Sequence, residues 1–478
     1  MLFSSVEFLF IFFPLVFIVY YALSFSRFLQ NIWLFAVSIF FYAWGEPIYV
    51  IILLISILVN WGLSLIIGAL PKEKRKIPLA IACILNIGVL FVFKYLGFIT
   101  SQINGIAEAN IVPTVSWALP IGISFYTFQA LSYCVDVYND KAKAQKNPLN
   151  VGLYISFFPQ LIAGPIVKYN QIEEQIKHRK PSLDKISRGF SRFIVGLAKK
   201  TILANNLAVV ADAIFNWSEF GTAIVDVPVL MAWMGIIAYT MQIYFDFSGY
   251  SDMAIGLGLM FGFEFDENFN YPYYAVSVSD FWKRWHISLT SWFREYVYFP
   301  LGGSRTENKD LMVRNLLIVW LLTGIWHGAG WNFIFWGLLH FVFQLAERFF
   351  HLDKPEKHIG LMRVYTLFEV MMGWVLFRTV DLYQASSYYK NLFGLNGNSF
   401  FNERTWFMFK ENWVYLALGI ACCIPLTGKG LNLLREKITH KNVVAETVIC
   451  TAWIMAVLIV CSIFVVRASY SPFIYFNF

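Results

Sequence analysis

Three of the seven histidines in this sequence lie in apolar segments, where acid–base chemistry would be most conspicuous: His286, His327 and His340. Neutral imidazole can take a proton from a hydroxyl group and return it to a leaving group. His327 is the first candidate, because Gly328 and Gly330 beside it allow a ligand or another chain to approach closely. A packing histidine bonded to a backbone carbonyl explains the same spacing equally well.

His286 lies in a segment whose pattern predicts an amphipathic helix over residues 280–296. At about 100° per residue, large apolar side chains share one face and polar ones share the other, as in a helix that lies in a membrane interface. His286 falls near the border of the apolar face, so an interfacial histidine without chemistry is an equal alternative. The apolar face contains Phe281, Trp282, Trp285, Leu289, Trp292, Phe293 and Tyr296. The polar face contains Lys283, Arg284, Ser288, Ser291, Arg294 and Glu295.

Other polar residues interrupt apolar runs elsewhere. His340 has no polar neighbour in the sequence, and packing is favoured over catalysis for this residue. Asp246 and Asp252 are six residues apart, which is not one helix face unless Gly249 breaks the helix. We expect these acids to form structural ion pairs with the arginines of 284–305 rather than to line a polar cavity.

The elements that carry these residues are predicted to span a membrane. Of 478 residues, 58% are hydrophobic and 14% are charged, whereas soluble domains have about a quarter of charged residues. Ile48–Leu70 has no charged residue, and Val443–Val466 has only Glu446. Each run exceeds the roughly 20 residues that cross a hydrocarbon core. The sequence therefore predicts an all-α polytopic membrane protein that forms a single domain over residues 1–478.

The distribution of Lys and Arg predicts the topology. Basic clusters are expected on the cytoplasmic side, which gives about ten spans with both termini outside. Two apolar stretches, Val151–Val167 and Leu316–Leu345, have basic residues at both ends, so we expect re-entrant hairpins that turn at Gly164-Pro165 and at residues 328–330. The second hairpin, with two shorter helices, would place His327 deep in the membrane. Spans are predicted near 8–23, 28–44, 48–70, 78–97, 117–138, 361–379, 412–427 and 443–466.

Several chemistries have no sequence signature here. The six cysteines lie in apolar stretches without a CxxC pair or zinc spacing, which predicts no metal site. The chain has no GxSxG elbow, Walker loop, GxGxxG or HExxH motif, and so no sign of a serine nucleophile or a nucleotide-phosphate cradle. The net charge of +7 comes from basic loops that alternate with spans, which argues against a nucleic-acid surface.

Six motifs in order resemble those of the membrane-bound O-acyltransferase family. They are Pro120–Gln129, Ser156–Pro165, Tyr244–Asp252, Asp280–Tyr298, Trp320–Gly328 and Ser471–Phe478. The resemblance covers nearly the whole chain and is closest to the bacterial branch that works in alginate, peptidoglycan and related polysaccharide O-acetylation. It implies a ring of tilted helices around a funnel-shaped core in the bacterial inner membrane.

The resemblance also implies roles for individual residues. His327 matches the family's catalytic histidine, and His286 matches a second functional position where other branches carry Asn or Asp. The donor is expected to be cytoplasmic acetyl-CoA, or an acyl carrier protein, without a permanently bound cofactor; basic residues of 280–305 would hold its phosphates. An extracytoplasmic esterase-like (SGNH-type) acetyltransferase is the expected partner, which completes transfer to the polysaccharide. The residues expected to bind substrate are Arg284, Trp285, Trp326, Tyr244, Asp246 and Gln129.

Three other functions stay open on the sequence alone. A sister branch of the family has similar motifs and transfers D-alanine from a carrier protein toward teichoic acids. About ten spans with buried polar residues also describe a transporter or flippase, although the matching halves of many transporters are missing here. A scaffold for a surface complex is the third. Consumption of acetyl-CoA would distinguish the acetyltransferase from the transporter, and a scaffold would tolerate the loss of His327.

Overall fold

The part of the chain that the structure describes is helical throughout. The computed structural model describes residues 1–115, 117–216, 226–303, 308–425 and 443–467, and it assigns no β-strand within these ranges. The tail Ser471–Phe478, which we expected to help dock the partner or pack over the funnel mouth, lies outside the described residues. Two compact units are formed by Met1–Phe193 with Tyr250–Glu267 and by Ile194–Gly249 with Asn268–Phe478.

The first unit contains the N-terminal helices. Their ends follow from local sequence: α2 begins after Ser26, whose hydroxyl accepts a hydrogen bond from the Leu29 amide. Helices α3 and α4 are joined by the side-chain amides of Asn60 and Asn86, which bond reciprocally at 3.2 and 2.7 Å. The helices are α1 (Phe13–Ala22, preceded by a π-helical turn at Phe8–Phe12), α2 (Arg27–Gly45), α3 (Val50–Ala69), α4 (Lys76–Lys94), α5 (Leu96–Ala107), α6 (Ile123–Tyr138), α7 (Pro148–Ser156), α8 (Phe158–Leu161) and α9 (Tyr169–His178).

The second unit contains most of the C-terminal half. Helices α10 and α12 contribute residues to both units, because the unit boundaries fall at residues 193/194 and 249/250. The helices from this point are α10 (Leu183–Ala198, followed by a π-helical turn at Lys199–Ala204), α11 (Asn205–Phe215), α12 (Val229–Met260), α13 (Val278–Phe281), α14 (Ile287–Phe293, followed by a π-helical turn at Arg294–Tyr298), α15 (Lys309–His327), α16 (Trp331–Phe349), α17 (Ile359–Arg378), α18 (Leu382–Leu392), α19 (Glu403–Cys423) and α20 (Val443–Arg467).

Seven helices among the described residues are long and apolar enough to cross a membrane. They are Arg27–Gly45, Val50–Ala69, Lys72–Lys94, Leu183–Phe215, Val229–Met260, Ile359–Arg378 and Thr447–Arg467. The chain is thus a multi-pass membrane protein, as predicted, while the number of about ten spans stays a prediction. The predicted span 117–138 begins only at Ile123, because Gly122 adopts a positive φ of 74°. The segment between the predicted spans 78–97 and 117–138 is partly helical, since α5 continues to Ala107.

Helices α15 and α16 pack against each other and are joined at residues 328–330, where the sequence predicts a re-entrant hairpin. Each has 19 residues, about 28 Å, so neither is short. Glycines let the two backbones approach closely. A Cβ on Gly324 would lie 2.5 Å from the Phe333 carbonyl oxygen, and one on Gly337 would lie 2.5 Å from that of Trp320. Whether this hairpin enters and leaves one face of the membrane stays a prediction.

The other predicted hairpin breaks earlier than expected. Helix α7 ends at Ser156 and Phe157 is non-helical (ψ 112°), ahead of Pro159. A proline ring clashes with the carbonyl oxygen four residues before it, which prevents α7 from continuing. Residues 162–168 are then irregular, around Gly164-Pro165. Every residue from 151 to 169 is buried, as irregular backbone in a membrane protein requires.

The prediction of a continuous amphipathic helix over residues 280–296 is wrong. The chain forms α13, a turn and then α14, because His286 adopts a left-handed conformation with φ 44° and ψ 54°. The apolar side chains still point inward: Phe281, Trp282, Trp285, Leu289, Trp292 and Phe293 are all buried. The hydrophobic pattern therefore located the buried face, whereas the break at His286 has no local sequence signal.

Candidate active site

His327 is the last residue of α15 and is enclosed by aromatic rings. Its side chain is buried, and its ring centroid lies 4.9 Å from Trp326, 4.9 Å from Trp336 and 5.1 Å from Phe377. Helix α15 stops at this point because Gly328 is extended and the chain turns into α16. The turn thus holds an imidazole in an apolar environment, in which charges interact more strongly than in water.

His286 is held by a hydrogen-bonded loop. Its Nδ1 lies 3.2 Å from the side-chain oxygen of Asn268, and the same oxygen accepts bonds from the backbone amide and hydroxyl of Ser288 at 3.2 and 2.9 Å. A backbone amide can only donate, so the Asn268 atom is an oxygen and His286 Nδ1 must be the donor. The lone pair of the neutral ring is therefore on Nε2.

Burial keeps His286 uncharged. The segment that carries it lies outside the seven candidate spans, and its side chain is 1% exposed. Desolvation lowers the pKa of His286 from 6.5 to about 3. Phe247 of α12 packs edge to face on the imidazole, with centroids 4.6 Å apart. At physiological pH this residue is a neutral imidazole that can accept a hydrogen bond through Nε2.

Trp326 contacts both histidines. Its ring centroid is 4.9 Å from that of His327 and 6.2 Å from that of His286. Trp326 is 5% exposed. The structure therefore brings together three residues that the sequence singled out, from the end of α15 and from the turn before α14. We call His286, Trp326 and His327 the histidine cluster.

Tyr244 and Trp285 belong to an aromatic layer in the same unit. Both are buried, and their ring centroids are 6.2 Å apart. Trp285 also packs on Phe269 at 5.1 Å and on Trp374 at 5.0 Å. Trp285 precedes His286 in the chain, so this layer fixes the turn that presents the histidine. These contacts give Tyr244 and Trp285 a supporting role, and substrate binding by either stays a prediction.

Asp246 forms a buried ion pair, but not with the expected partner. Its Oδ1 lies 2.6 Å from the Nζ of Lys200, with the two side chains 2% and 3% exposed. Asp252 pairs with Arg192 at 2.8 Å. The prediction of structural pairing was right, and the arginines of 284–305 were the wrong partners. Helix α12 runs unbroken past Gly249.

Gly249 serves packing rather than a helix break. A Cβ on this residue would lie 2.8 Å from the Gly196 carbonyl oxygen. The glycine thus lets α12 approach the end of α10 closely, next to Lys200, which brings the lysine within reach of Asp246. Lys200 was not predicted as a partner, although a lysine inside an apolar helix is itself a signal.

Arg284 is engaged in an ion pair beside the histidine cluster. Its Nε donates to Asp280 Oδ1 at 3.0 Å, within one helical turn. The carboxylate of Asp280 also accepts a bond from the Val276 amide at 3.2 Å. The guanidinium is therefore partly neutralised, and the donor phosphates that we assigned to it would have to compete with Asp280.

A cavity of about 150 Å³ offers two other arginines. Arg294 and Arg348 lie at this cavity, and neither forms an ion pair within the described ranges. Its walls are largely apolar, and Thr323 and Gln344 supply polar groups. Thr323 precedes His327 by four residues, about 6 Å along the α15 axis. We call this space the arginine cavity; Arg348 was not predicted as part of a site.

Gln129 belongs to the first unit, in α6. Its side chain is fully buried, and its amide oxygen and nitrogen have no hydrogen-bond partner among the residues that the structure describes. Its backbone oxygen accepts a bond from the Tyr154 hydroxyl at 3.2 Å. A buried amide without partners is costly, so this position is unusual, and its role in binding substrate stays a prediction.

His340 has a polar partner that the sequence did not reveal. Its Nδ1 lies 2.8 Å from Oε1 of Glu369 on α17, and both side chains are 1% exposed. His340 thus lacks a polar neighbour only along the chain, and not in the folded protein. Glu369 is a carboxylate within an apolar span, and that feature could have identified it.

Comparison with known proteins now adds to this geometry. The sequence profile of the membrane-bound O-acyltransferase family matches residues 114–377, which include the histidine cluster and His340. The chain belongs to this family. It is an acyltransferase, as the motifs predicted.

Relatives of this acyltransferase have named activities. It is 41% identical to a probable alginate O-acetylase of Azotobacter vinelandii, over 82% of this chain and 78% of the relative. It is 33% identical to a peptidoglycan O-acetyltransferase of Helicobacter pylori, over 100% of this chain and 98% of that protein. A teichoic acid D-alanyltransferase of Bacillus subtilis is 29% identical over 59% of this chain and 74% of its own length.

Proposed function

We propose that this acyltransferase moves an acetyl group from cytoplasmic acetyl-CoA across the membrane for O-acetylation of an extracytoplasmic polysaccharide. The histidine cluster carries the proposal, because it provides two buried imidazoles around one indole in a chain of this family. Relatives named for alginate and peptidoglycan O-acetylation, at 41% and 33% identity, support acetyl as the acyl group and a polysaccharide as the final acceptor.

The chemistry requires one proton to change place. His327 takes the proton of the acceptor hydroxyl as its oxygen attacks the thioester carbonyl, and the proton ends on the leaving thiol. The new C–O bond replaces the C–S bond, so no cofactor is consumed. His286, a neutral ring with its lone pair on Nε2, can accept a hydrogen bond from the thiol product. The apolar surroundings strengthen any dipole that faces the oxyanion.

The arginine cavity is the proposed site for the donor. A phosphate-bearing thioester arm has an anionic end and a long, largely apolar stem. Two guanidinium groups at a largely apolar cavity match that combination, since Arg binds phosphate through several parallel N–H groups. Arg294 and Arg348 both lie in segments that the charge distribution places on the cytoplasmic side. The donor would therefore enter from the cytoplasm.

The locations of the donor and of the polysaccharide acceptor lead to a proposal for a partner protein. A bacterial inner-membrane location places the donor inside and the polymer outside, so a second protein must complete the transfer. We propose an extracytoplasmic esterase-like acetyltransferase of the SGNH type for this step, because this chain has no serine elbow of its own. D-alanyl transfer is the second candidate, favoured by the similarity to the Bacillus subtilis protein.

The test uses purified full-length protein in vesicles with two donors in parallel. Acetyl-CoA labelled in the acetyl group and a D-alanyl carrier-protein thioester are supplied on the side of Arg294, and thiol release and label transfer are measured. Release from acetyl-CoA that is lost in His327→Ala supports the proposal. Release from the D-alanyl thioester alone replaces it with the second candidate. No thiol release from either donor would indicate a transporter or a scaffold.

A further inference from the structure

The His340–Glu369 pair is a buried polar contact that the proposed reaction does not use. The Nδ1 and Oε1 atoms are 2.8 Å apart, and each side chain is 1% exposed. An ionisable group is retained in an apolar interior when it is paired with another polar group. An ionisable contact at this depth in a membrane protein suggests a function beyond packing.

Three tryptophans surround the imidazole of His340. The ring centroids of Trp282, Trp320 and Trp336 lie 5.0, 5.1 and 4.9 Å from it. Each of the three comes from a different helix or turn, and Trp320 also donates its indole N–H to Gln344 at 3.2 Å. Glu369 therefore fixes one ring around which three others are arranged.

The three tryptophans face two different parts of the site. Trp282 and Trp320 line the arginine cavity. Trp336 packs edge to face on His327 at 4.9 Å. His340 thus packs on Trp336, the ring that supports the proposed general base, and on two tryptophans in the wall of the proposed donor cavity.

Gly373 of α17 leaves the space that the rings of His340 and Trp336 occupy. A Cβ at this position would lie 3.2 Å from both Cε1 and Nε2 of His340, and 3.5 Å from Trp336. That spacing forces the imidazole to move by a few tenths of an ångström. Gly360, on the same helix, has open space around an added Cβ. The helix therefore offers a substitution that displaces His340 and a matched one that does not.

We propose that His340 and Glu369 form a positioning pair for acyl transfer, which holds Trp336 against His327 and Trp282 and Trp320 against the donor cavity. The proposal rests on the proposed acetyl transfer. The pair contacts neither donor nor acceptor; it fixes the distance between the thioester and the base. Its loss should therefore reduce kcat while donor binding is largely retained.

The first test compares Gly373→Ala with Gly360→Ala. Because small displacements at a reacting centre are costly, we expect kcat for acetyl transfer to fall about fivefold to tenfold in Gly373→Ala. The donor KM should change less than about twofold, because uniform binding is not affected. Gly360→Ala should match the wild type in both constants. Equal constants in the two variants, or a rise in KM alone, would overturn the positioning role.

The second test separates position from charge at Glu369. Glutamine keeps a side-chain oxygen next to Nδ1 of His340, 2.8 Å away in the wild type, whereas alanine removes it. We expect Glu369→Gln to keep kcat within about threefold of the wild type, and Glu369→Ala to lose about 100-fold. Equal losses in both variants overturn the proposal, because they would show that the carboxylate charge, and not the contact with His340, is needed.

These results are distinguishable from a failure of the proposed function. If the wild type itself releases no thiol from acetyl-CoA, acetyl transfer and the positioning pair fall together. If the wild type is active and Gly373→Ala is as active as Gly360→Ala, only the positioning pair falls. Protein amount and monodispersity in detergent are compared for every variant, and Gly373→Ala decides the matter should Glu369→Ala fail to fold.

Discussion

The indole of Trp326 and the imidazole of His327 meet edge to face, with ring centroids 4.9 Å apart and an interplanar angle of 79°. The same indole reaches the ring of His286, 6.2 Å away. Because Trp326 and His327 are consecutive at the end of α15, the helix end sets the orientation of both. A single aromatic side chain thus connects the two histidines that the sequence proposed for catalysis.

Replacement of His327 by alanine should remove nearly all acetyl transfer. The loss of a general base costs about 10²–10⁴-fold, or about 3–5 kcal/mol of barrier. Thiol release from labelled acetyl-CoA in vesicles is the measurement. His178→Ala is the control, since His178 is exposed and pairs only loosely with Glu174 at 3.7 Å. Near-normal release by well-folded His327→Ala protein would contradict the mechanism.

Substitution of Trp326 should lower kcat by more than the accompanying loss of folding stability can explain. Phenylalanine keeps an aromatic ring between the histidines, and alanine leaves a cavity that costs about 3–5 kcal/mol of folding free energy. We expect Trp326→Phe to retain most of its thermal stability and to lose about tenfold in kcat, because the histidines lose a fixed contact. Unchanged kcat in Trp326→Phe would reduce Trp326 to packing.

The residue types of the histidine cluster could be predicted from sequence, whereas the contacts that hold it could not. Histidine in an apolar segment is costly, so His327 and His286 are conspicuous in any reading of the chain. The support for His286 comes from Asn268, 18 residues away, through a loop with no periodic pattern. The left-handed backbone of His286 at the start of α14 depends on that distant amide. Local residue propensities do not predict this conformation.

Ion pairs between residues far apart in the chain were the other feature that the sequence could not predict. The hydrophobic pattern located many of the helices and the buried side chains of 281–293, because these features follow from residues three or four apart. The partners of Asp246 and His340 lie 46 and 29 residues away along the chain, since Lys200 and Glu369 are on other helices. Charged residues inside apolar helices could have been matched to one another, but the choice among partners needed the helix packing.

Breaking the Lys200–Asp246 pair at one end should destabilise the protein more than replacing both ends. Each side chain is at least 97% buried, and an uncompensated buried charge costs about 3–5 kcal/mol. We expect Lys200→Met to lower the thermal midpoint in detergent strongly, and Lys200→Met with Asp246→Leu to recover most of the loss. Lys185→Met, at a partly exposed ion pair with Glu264, is the control.

The same double variant tests the expected substrate role of Asp246. If the pair is structural, the stabilised double variant should transfer acetyl groups at a rate near that of the wild type. An inactive but stable double variant would show that Asp246 or Lys200 contacts a substrate, and would assign to the pair a function that its burial does not suggest.

Removal of Arg294 or Arg348 should weaken donor binding. A hydrogen bond to a charged group contributes about 1.5–3 kcal/mol, so each alanine variant should raise the donor KM by about tenfold or more. kcat should change little, because these arginines lie away from the reacting carbonyl. The difference from the wild type should shrink at high salt, which screens exposed charges. Arg188→Ala, at an exposed ion pair with Asp184, serves as the control, and an unchanged KM would remove the donor from this cavity.

The burial of His286 should make the protein sensitive to acid. Its pKa is about 3 in the folded state against an ordinary value of 6.5. Above pH 6.5 neither state binds a proton at this ring, so its contribution to stability is constant. As the pH falls below 6.5, the unfolded chain takes up a proton that the folded chain excludes, and stability falls by about 1.4 kcal/mol per pH unit. At pH 5 the loss is therefore about 2 kcal/mol relative to pH 7.5.

His286→Asn isolates this effect, because asparagine does not titrate and tolerates the left-handed backbone that His286 adopts, with φ 44°. The measurement is the thermal midpoint of both proteins in detergent between pH 7.5 and 5. The other titrating groups are common to the two proteins, so only the His286 contribution differs between the curves. We expect the wild type to lose more stability than His286→Asn across this interval. Parallel curves would show that water or a nearby acid lets the folded protein protonate His286, and the neutral Nε2 acceptor proposed for the thiol product would then be wrong.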